Sequence, residues 1–383
     1  MLAIINANVV TMEETDYPNG YVLVDRGKIK AVGGMQEFGD ECKIIDAKGE
    51  YLFPGMVDPH CHVGMWEECV GPAGEDGNED TDPVTPHLRA LDAINPADRA
   101  FADAYSAGVT TVVTGPGSAN VFGGQFAAVK TFGKRIDDMV VRAPAAQKLA
   151  LGENPKSAYG EKHRTPSTRM ATAAILRETL FLAAEYHRAK EEYKKEPQKN
   201  PRPPFDMKLE SLLPLLSSEI PAKVHAHRAD DIFTALRIAE EFGIRVTLEH
   251  CTEGHLISKY LKGHFVVTGP AFNNRSKPEL ANLSFGSPAV LAKAGAVVAV
   301  MTDHPEVPVQ YLPLCAAMAV RGGMAKRDAL HAVTINAARC CGIADRVGSI
   351  RPGKDADLIL ASKSLLDFEY RPTMVMINGV VMR

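Results

Sequence analysis

The sequence predicts an α/β fold, with a parallel strand–helix barrel in the middle of the chain and a small β-sandwich built from its two ends. Residues 54–347 alternate apolar, strand-like runs with helical stretches, as a parallel barrel requires. Residues 1–53 and 348–383 alternate apolar and polar residues between turn signals, the pattern of short antiparallel strands. A length of 383 residues accommodates a barrel of about 250–300 residues plus a smaller module. The expected division is therefore 1–53 and 348–383 for the sandwich, and 54–347 for the barrel.

Bulk properties exclude several classes. Hydrophobic content of 45% and charged content of 23% are those of an ordinary globular protein. A net charge of −4 without a clustered basic face argues against a nucleic-acid partner. No apolar run reaches the length of a membrane span. The start, Met-Leu-Ala-Ile-Ile-Asn, lacks the basic and apolar regions of a signal peptide. Seven cysteines in no regular framework read as free thiols in a reducing compartment. A cytoplasmic homo-oligomer acting on a small-molecule substrate is the expectation.

In chain order, Pro18-Asn-Gly20, Arg26-Gly27 and Lys48-Gly49 punctuate the N-terminal strands, and Val22–Val32 reads as a hairpin. Met56-Val57 opens the first barrel strand, which leads to His60 and His62. The loop 65–95 carries seven acidic residues (Glu67, Glu68, Glu75, Asp76, Glu79, Asp80, Asp82). Asn95-Pro96 reads as a helix start and Gly108 as its stop. Val109–Thr114 is β-branched and strand-like. Phe126–Lys130 and Ala146–Leu151 are the third and fourth strands.

Residues 152–220 interrupt this rhythm, far beyond the usual βα loop. Within them 170–196 has helical periodicity and ends in a charged tail, Glu191–Glu196, which reads as a solvated face. Regularity returns with strand Ala222–His225, helix 229–242 stopped by Gly243, strand Ile244–His250 and strand Phe265–Thr268. Helix 288–294, strand Ala296–Asp303 and helices near 311–321 and 326–337 complete eight strands. Asp357–Ala361 and Met374–Met382 supply the C-terminal β segments.

His60 and His62 lie two apart on a strand, so both imidazoles face one side while Cys61 faces away. That pair suits a metal ion, although a surface loop would look the same. His225, His250 and Asp303 each end an apolar run. In a barrel these ends meet on one face, and nitrogen and oxygen ligands with an open position describe a catalytic zinc site. Such a metal activates water and polarises a carbonyl. Asp303 would then carry the proton from that water to the leaving group, unless it merely caps the next segment.

Pro54-Gly-Met-Val-Asp-Pro-His-Cys-His62, Val224-His-Ala-His227, Leu248-Glu-His250, Met301-Thr-Asp303 and Gly348–Leu358 together make the chain resemble the amidohydrolase superfamily. These are metal-dependent hydrolases built on a (β/α)8 TIM barrel, with a terminal sandwich beside it. The resemblance spans essentially the whole chain and looks nearest to imidazolonepropionase-like and dipeptidase-like branches. It implies hydrolysis of a C–N bond in an amide, small dipeptide or cyclic amide. It also implies metal ligands His60, His62, Lys148, His225, His250 and Asp303, with one or two divalent ions, zinc foremost.

A second metal needs a bridging anion. Lys148 lies in a segment resembling the one where several binuclear members carry a carbamoylated lysine, and a bare ammonium is costly to bury in a barrel. Glu153 is the rival, Lys130 a third option, and a site with no bridge remains open. His227 could face substrate, support a ligand or be an exposed loop residue. His163, Arg164 and Arg169 could clamp a substrate carboxylate, or lie in a surface loop. His304 should point away by alternation, and Cys251, Glu253 and His255 have no fixed direction. The deaminases and imidazolonepropionase itself usually carry a glutamate three residues after the strand-five histidine. Arg228 stands there instead, which counts against nucleobase deamination and against imidazolonepropionate as substrate. A lactone or phosphotriester hydrolase could use the same metals. A non-catalytic assembly relative should lack some of these ligands.

Overall fold

In a computed structural model describing residues 1–382, sixteen strands form two sheets among the described residues. The N-terminal segment gives β1 (Leu2–Val9), β2 (Tyr17–Asp25), β3 (Lys28–Gly34), β4 (Lys43–Asp46) and β5 (Tyr51–Pro54). Then follow β6 (Met56–Cys61), β7 (Val109–Thr114), β8 (Phe122–Lys130), β9 (Val140–Ala150), β10 (Ala222–Ala226), β11 (Val246–His250), β12 (Phe265–Thr268) and β13 (Val297–Val300). The chain ends with β14 (Leu358–Ala361), β15 (Pro372–Ile377) and β16 (Val380–Val381).

Strands from the two chain ends meet in one hydrogen-bonded sheet, ordered β16-β15-β14-β5-β1-β2-β3 with β4 beside β1. Its inward residues, among them Ile4, Val22, Leu52, Leu358 and Met376, enclose a core separate from that of the barrel. The turn Arg26-Gly27 closes the β2–β3 hairpin, with both residues at positive φ. A glycine takes that conformation without strain.

The second sheet runs β6 to β13 in sequence order and is nearly closed. Closure is made past the end of β13, where Asp303 N donates to His60 O at 3.1 Å and His62 N to His304 O at 2.9 Å. Thr302 Oγ1 donates to the buried Asp58 carboxylate, tying the same two segments deeper in the barrel.

One strand departs from the all-parallel expectation. β8 is antiparallel to both neighbours, pairing Thr111 with Lys130 and Gln125 with Gln147. No crossover helix separates β7 from β8, and a short loop suffices for an antiparallel turn. Lys130 therefore lies at the end of the barrel opposite the His60 cluster and cannot bridge metals there. Its Nζ donates instead to Asp357 and, at 3.0 Å, to Asp355.

The connections mostly follow the pattern. Helix Ala229–Phe242 ends at Gly243 with φ 64°, the left-handed C-cap that glycine favours. Helix Arg99–Ser106 starts later than expected: Asp98 is its N-cap, accepting from Ala100 N, while Asn95 caps the preceding turn through Ala97 N. The long interruption contains helices Glu153–Gly160 and Arg169–Lys195, the latter ending in exposed pairs such as Lys194 with Glu191. No helix among the described residues is long and apolar enough to cross a membrane.

Lys130, Lys28, Arg346, Asp355 and Asp357 join the terminal sheet to the base of the barrel. Burial alone would raise the Asp355 carboxyl. Lys130 foremost, with Lys28 and Arg346, outweighs it and holds the group at about 2, against an ordinary 3.8. A folded value below the unfolded one stabilises the protein fully above the unfolded pKa, and that contribution disappears as pH falls through the folded value. At about 1.36 kcal/mol per unit it amounts to roughly 2 kcal/mol. Asp355→Asn is expected to lose about that much stability at neutral pH, with the gap to the parent closing between about pH 4 and 2. Urea unfolding across that range checks it; a gap that does not change with pH would contradict the assignment.

Candidate functional site

The C-terminal end of β6 sets the first donor group. His60 Nδ1 donates to Glu249 Oε2 at 2.7 Å, and His62 Nδ1 to the Gly115 carbonyl at 2.7 Å. Each contact fixes a tautomer in which Nε2 carries a lone pair. Asp303 Oδ1 stands 3.3 Å from His62 Nε2 and 3.6 Å from His60 Nε2. Cys61 turns away toward the Val113 carbonyl, as alternation requires.

A second donor group comes from β10 and β11. One nitrogen each of His225, His227 and His250 lie within 4.8 Å of one another. His250 Nδ1 donates to Gly269 O at 2.9 Å, and His227 Nδ1 shares a 2.8 Å hydrogen bond with Thr252 Oγ1. His225 is buried with neither ring nitrogen partnered. Burial foremost, then His250 and His227, pushes its pKa well below the usual range, so its imidazole is neutral.

Glu249 and His250 are consecutive, yet both serve the site. A left-handed backbone at His250 (φ 65°) breaks the alternation, and Asp303 repeats the device with φ 54°. For non-glycine residues this conformation costs on the order of 1–3 kcal/mol and is concentrated at functional positions.

Lys148 on β9 lies between the two groups, with Nζ 3.2 Å from His60 Nε2. Burial lowers its pKa to about 8; Asp303 and Glu249 oppose that shift, and Lys223 adds to it. Lys223, its register partner on β10, is held by Glu249 at 3.1 Å. Burial works against the charge of Lys223, but Glu249 outweighs it and raises the pKa. Glu249 therefore serves two partners, orienting His60 and neutralising Lys223.

Both donor groups open into one cavity of about 400 Å³. His62, His225, His227, His250, Lys148 and Asp303 all line it. Trp66, from the acidic loop, forms part of its wall with its ring centroid 4.8 Å from that of His62. Gly77 makes room for this ring, since a Cβ there would meet Trp66 at 1.8 Å.

Other sequence candidates are placed elsewhere. His163 and Arg164 are exposed and outside the cavity lining. Arg169 is committed to Asp231 at 3.0 Å and to Glu279 at 3.4 Å. Glu153 opens a helix, where its backbone N donates to Glu279 Oε1 at 2.6 Å, and it does not line the cavity. Glu253 caps helix Ala229–Phe242 through Ala229 N, and His255 Nδ1 bonds Thr252 O. Cys251 is buried outside the cavity lining, His304 accepts from Val309 N, and Arg228 pairs with Asp230 at the surface. No motif in the sequence points to Glu249, Lys223 and Trp66, which the fold brings to the site, or to Asn154 and Lys277, which also line the cavity. Lys223 alone is foreshadowed, because it precedes His225 by two on the same strand face.

The family model "Amidohydrolase family" matches residues 218–382, the part that supplies His225, His250 and Asp303. The crystal structure of an amidohydrolase from Thermotoga maritima MSB8 superposes with a TM-score of 0.95 at 44% sequence identity, covering 100% of both chains. The chain belongs to the amidohydrolase family. Amidohydrolases are metal-dependent, which agrees with two histidine-rich donor groups facing one cavity. Amidohydrolase tasK of Hapsidospora irregularis is 27% identical over 389 residues, 94% of this chain; those residues span only 39% of that protein. Imidazolonepropionase of Geobacillus kaustophilus is 26% identical over 407 residues, covering 89% of this chain and 83% of that protein.

Proposed function

We propose that this amidohydrolase hydrolyses a C–N bond in a small amide, dipeptide or cyclic amide, with divalent zinc held by its two donor groups. The observation that carries the reading is the convergence of two donor groups, His60 with His62 and Asp303, and His225 with His227 and His250, at one cavity that all of them except the buried His60 line. The residues present fit a metal. His225 offers buried, neutral, unpartnered nitrogens, an arrangement that is rare and costly without a ligand. The metal, when bound, supplies Lewis-acid polarisation of the scissile carbonyl and a water of lowered pKa.

The chain's own groups do the rest. Glu249 and the carbonyls of Gly115 and Gly269 hold three imidazoles in fixed orientation. The Asp303 carboxylate takes the proton of the attacking water and delivers it to the departing nitrogen, so that the amine leaves neutral. Lys148 is placed between the donor groups, and as a carbamate it would offer them a shared anion. The position of Glu153 outside the cavity favours Lys148 for that role. Deamination has less support, because Arg228 lies at the surface where deaminase-like members would carry a glutamate.

His60→Ala is the direct test. Metal content, measured by elemental analysis of protein purified with zinc, is expected to fall below half of the parent value. Amide hydrolysis, followed by amine release across a substrate library, should become undetectable. Full activity in a metal-free His60→Ala protein would end this reading.

A further inference from the structure

The hydrolytic scheme leaves one cation of the cavity without a task. Lys277 sits in the wall of the cavity, its side chain 26% exposed. Its Nζ donates to Asn154 Oδ1 at 2.8 Å, and Asn154 Nδ2 in turn donates to Ser118 Oγ at 2.8 Å. The nearest carboxylate is buried Glu279, 3.7 Å away and shared with Arg169. An ammonium has three donors, so this arrangement steadies Lys277 while leaving hydrogens for a ligand.

The surroundings favour an anion. The polar side chains of that wall, Asn78, Ser118, Asn154 and Ser276, are neutral. Two acids line the cavity: Asp303, which belongs to the donor cluster, and Glu306, which accepts from Asn273 Nδ2 at 2.7 Å. A cation held by a neutral amide, with its one nearby carboxylate buried and shared with Arg169, gives a negative group a place to bind and offers a neutral group less.

We propose that Lys277, steadied by Asn154, anchors a carboxylate of the substrate, so that the preferred amides carry a carboxylate near the scissile bond. This rests on the amide-hydrolase reading above and narrows it. Lys277 binds and orients the carboxylate, while bond cleavage remains with the donor cluster and Asp303.

The test uses the zinc-loaded full chain and a matched pair of amides, 4-acetamidobenzoate and 4-acetamidotoluene, with arylamine release followed by absorbance. The parent is expected to prefer the carboxylate member. In Lys277→Met the ratio of kcat/KM values, carboxylate over neutral, should fall at least tenfold, mostly through KM, and Lys277→Arg should restore most of it. An unchanged ratio in Lys277→Met would overturn the anchor. If neither amide is turned over, the hydrolase reading is in question but the anchor is still testable by binding. Trp66 is the only tryptophan in the chain and lines the same cavity, so its fluorescence reports occupancy. Saturable quenching by benzoate, absent with benzamide and weakened at least tenfold in Lys277→Met, supports the proposal. Quenching that is equal for both, or stronger with phenyl phosphate than with benzoate, or no quenching at all, overturns it.

Discussion

Asp303→Asn is expected to lower turnover by about 10²–10⁴-fold, the usual contribution of a positioned acid–base group, while the fold and most of the bound metal remain. An amide is nearly the same size as the carboxylate, so the left-handed turn at residue 303 and its backbone bond to His60 O need not change. An amide oxygen can still approach a cation. It cannot accept and release a proton near neutral pH. The loss should therefore appear in kcat, with KM changed much less. Zinc content and the thermal midpoint, measured on the same preparation, separate this from unfolding. A fall of less than tenfold would remove Asp303 from the proton path and leave it as a structural ligand.

Most of the scaffold was legible because strand and helix periodicities differ and four of the barrel strands lead to a histidine or an aspartate. His60, His62, His225, His250 and Asp303 could be placed on one rim by that logic alone. Strand polarity was not legible. Alternation along Phe122–Lys130 is the same whichever way the strand runs, so Lys130 was a bridge candidate until the register put it at the far end of the barrel. The left-handed turns at His250 and Asp303 were equally hidden, since neither is the glycine that advertises positive φ. Long-range pairing hid the rest. Arg169 looked free in sequence but meets Asp231 after 62 residues, and Glu249 reaches His60 across 189. Lys277 lies in an irregular segment between β12 and β13, where no periodicity assigns a direction.

Lys148→Ala is expected to drop metal stoichiometry from two per chain to one and to abolish most activity, with a short carboxylate such as propionate restoring part of both. The geometry makes a permanent ammonium a poor fit here. Lys148 Nζ is buried 3.2 Å from His60 Nε2, the ring nitrogen not held by Glu249, with Lys223 nearby and already neutralised by Glu249. Burial foremost brings its pKa down to about 8, so an appreciable part of the side chain is uncharged amine near neutral pH. The uncharged amine is the form that adds to carbon dioxide: its nitrogen bonds to the carbon, a proton leaves to solvent, and a carbamate anion remains. The outcome removes a buried cation and supplies two oxygens between two donor groups otherwise made of imidazoles and one carboxylate. Because the reactive fraction rises as pH passes through 8, loading with metal in the presence of bicarbonate should improve from pH 6 to pH 9. Glu153→Gln is the control. Its side chain is outside the cavity lining, so that variant should keep both metals. If Glu153→Gln loses one metal while Lys148→Ala keeps two, the bridge belongs to the helix after β9. If fully active protein holds a single metal, neither residue bridges, and Lys148 serves through its charge alone.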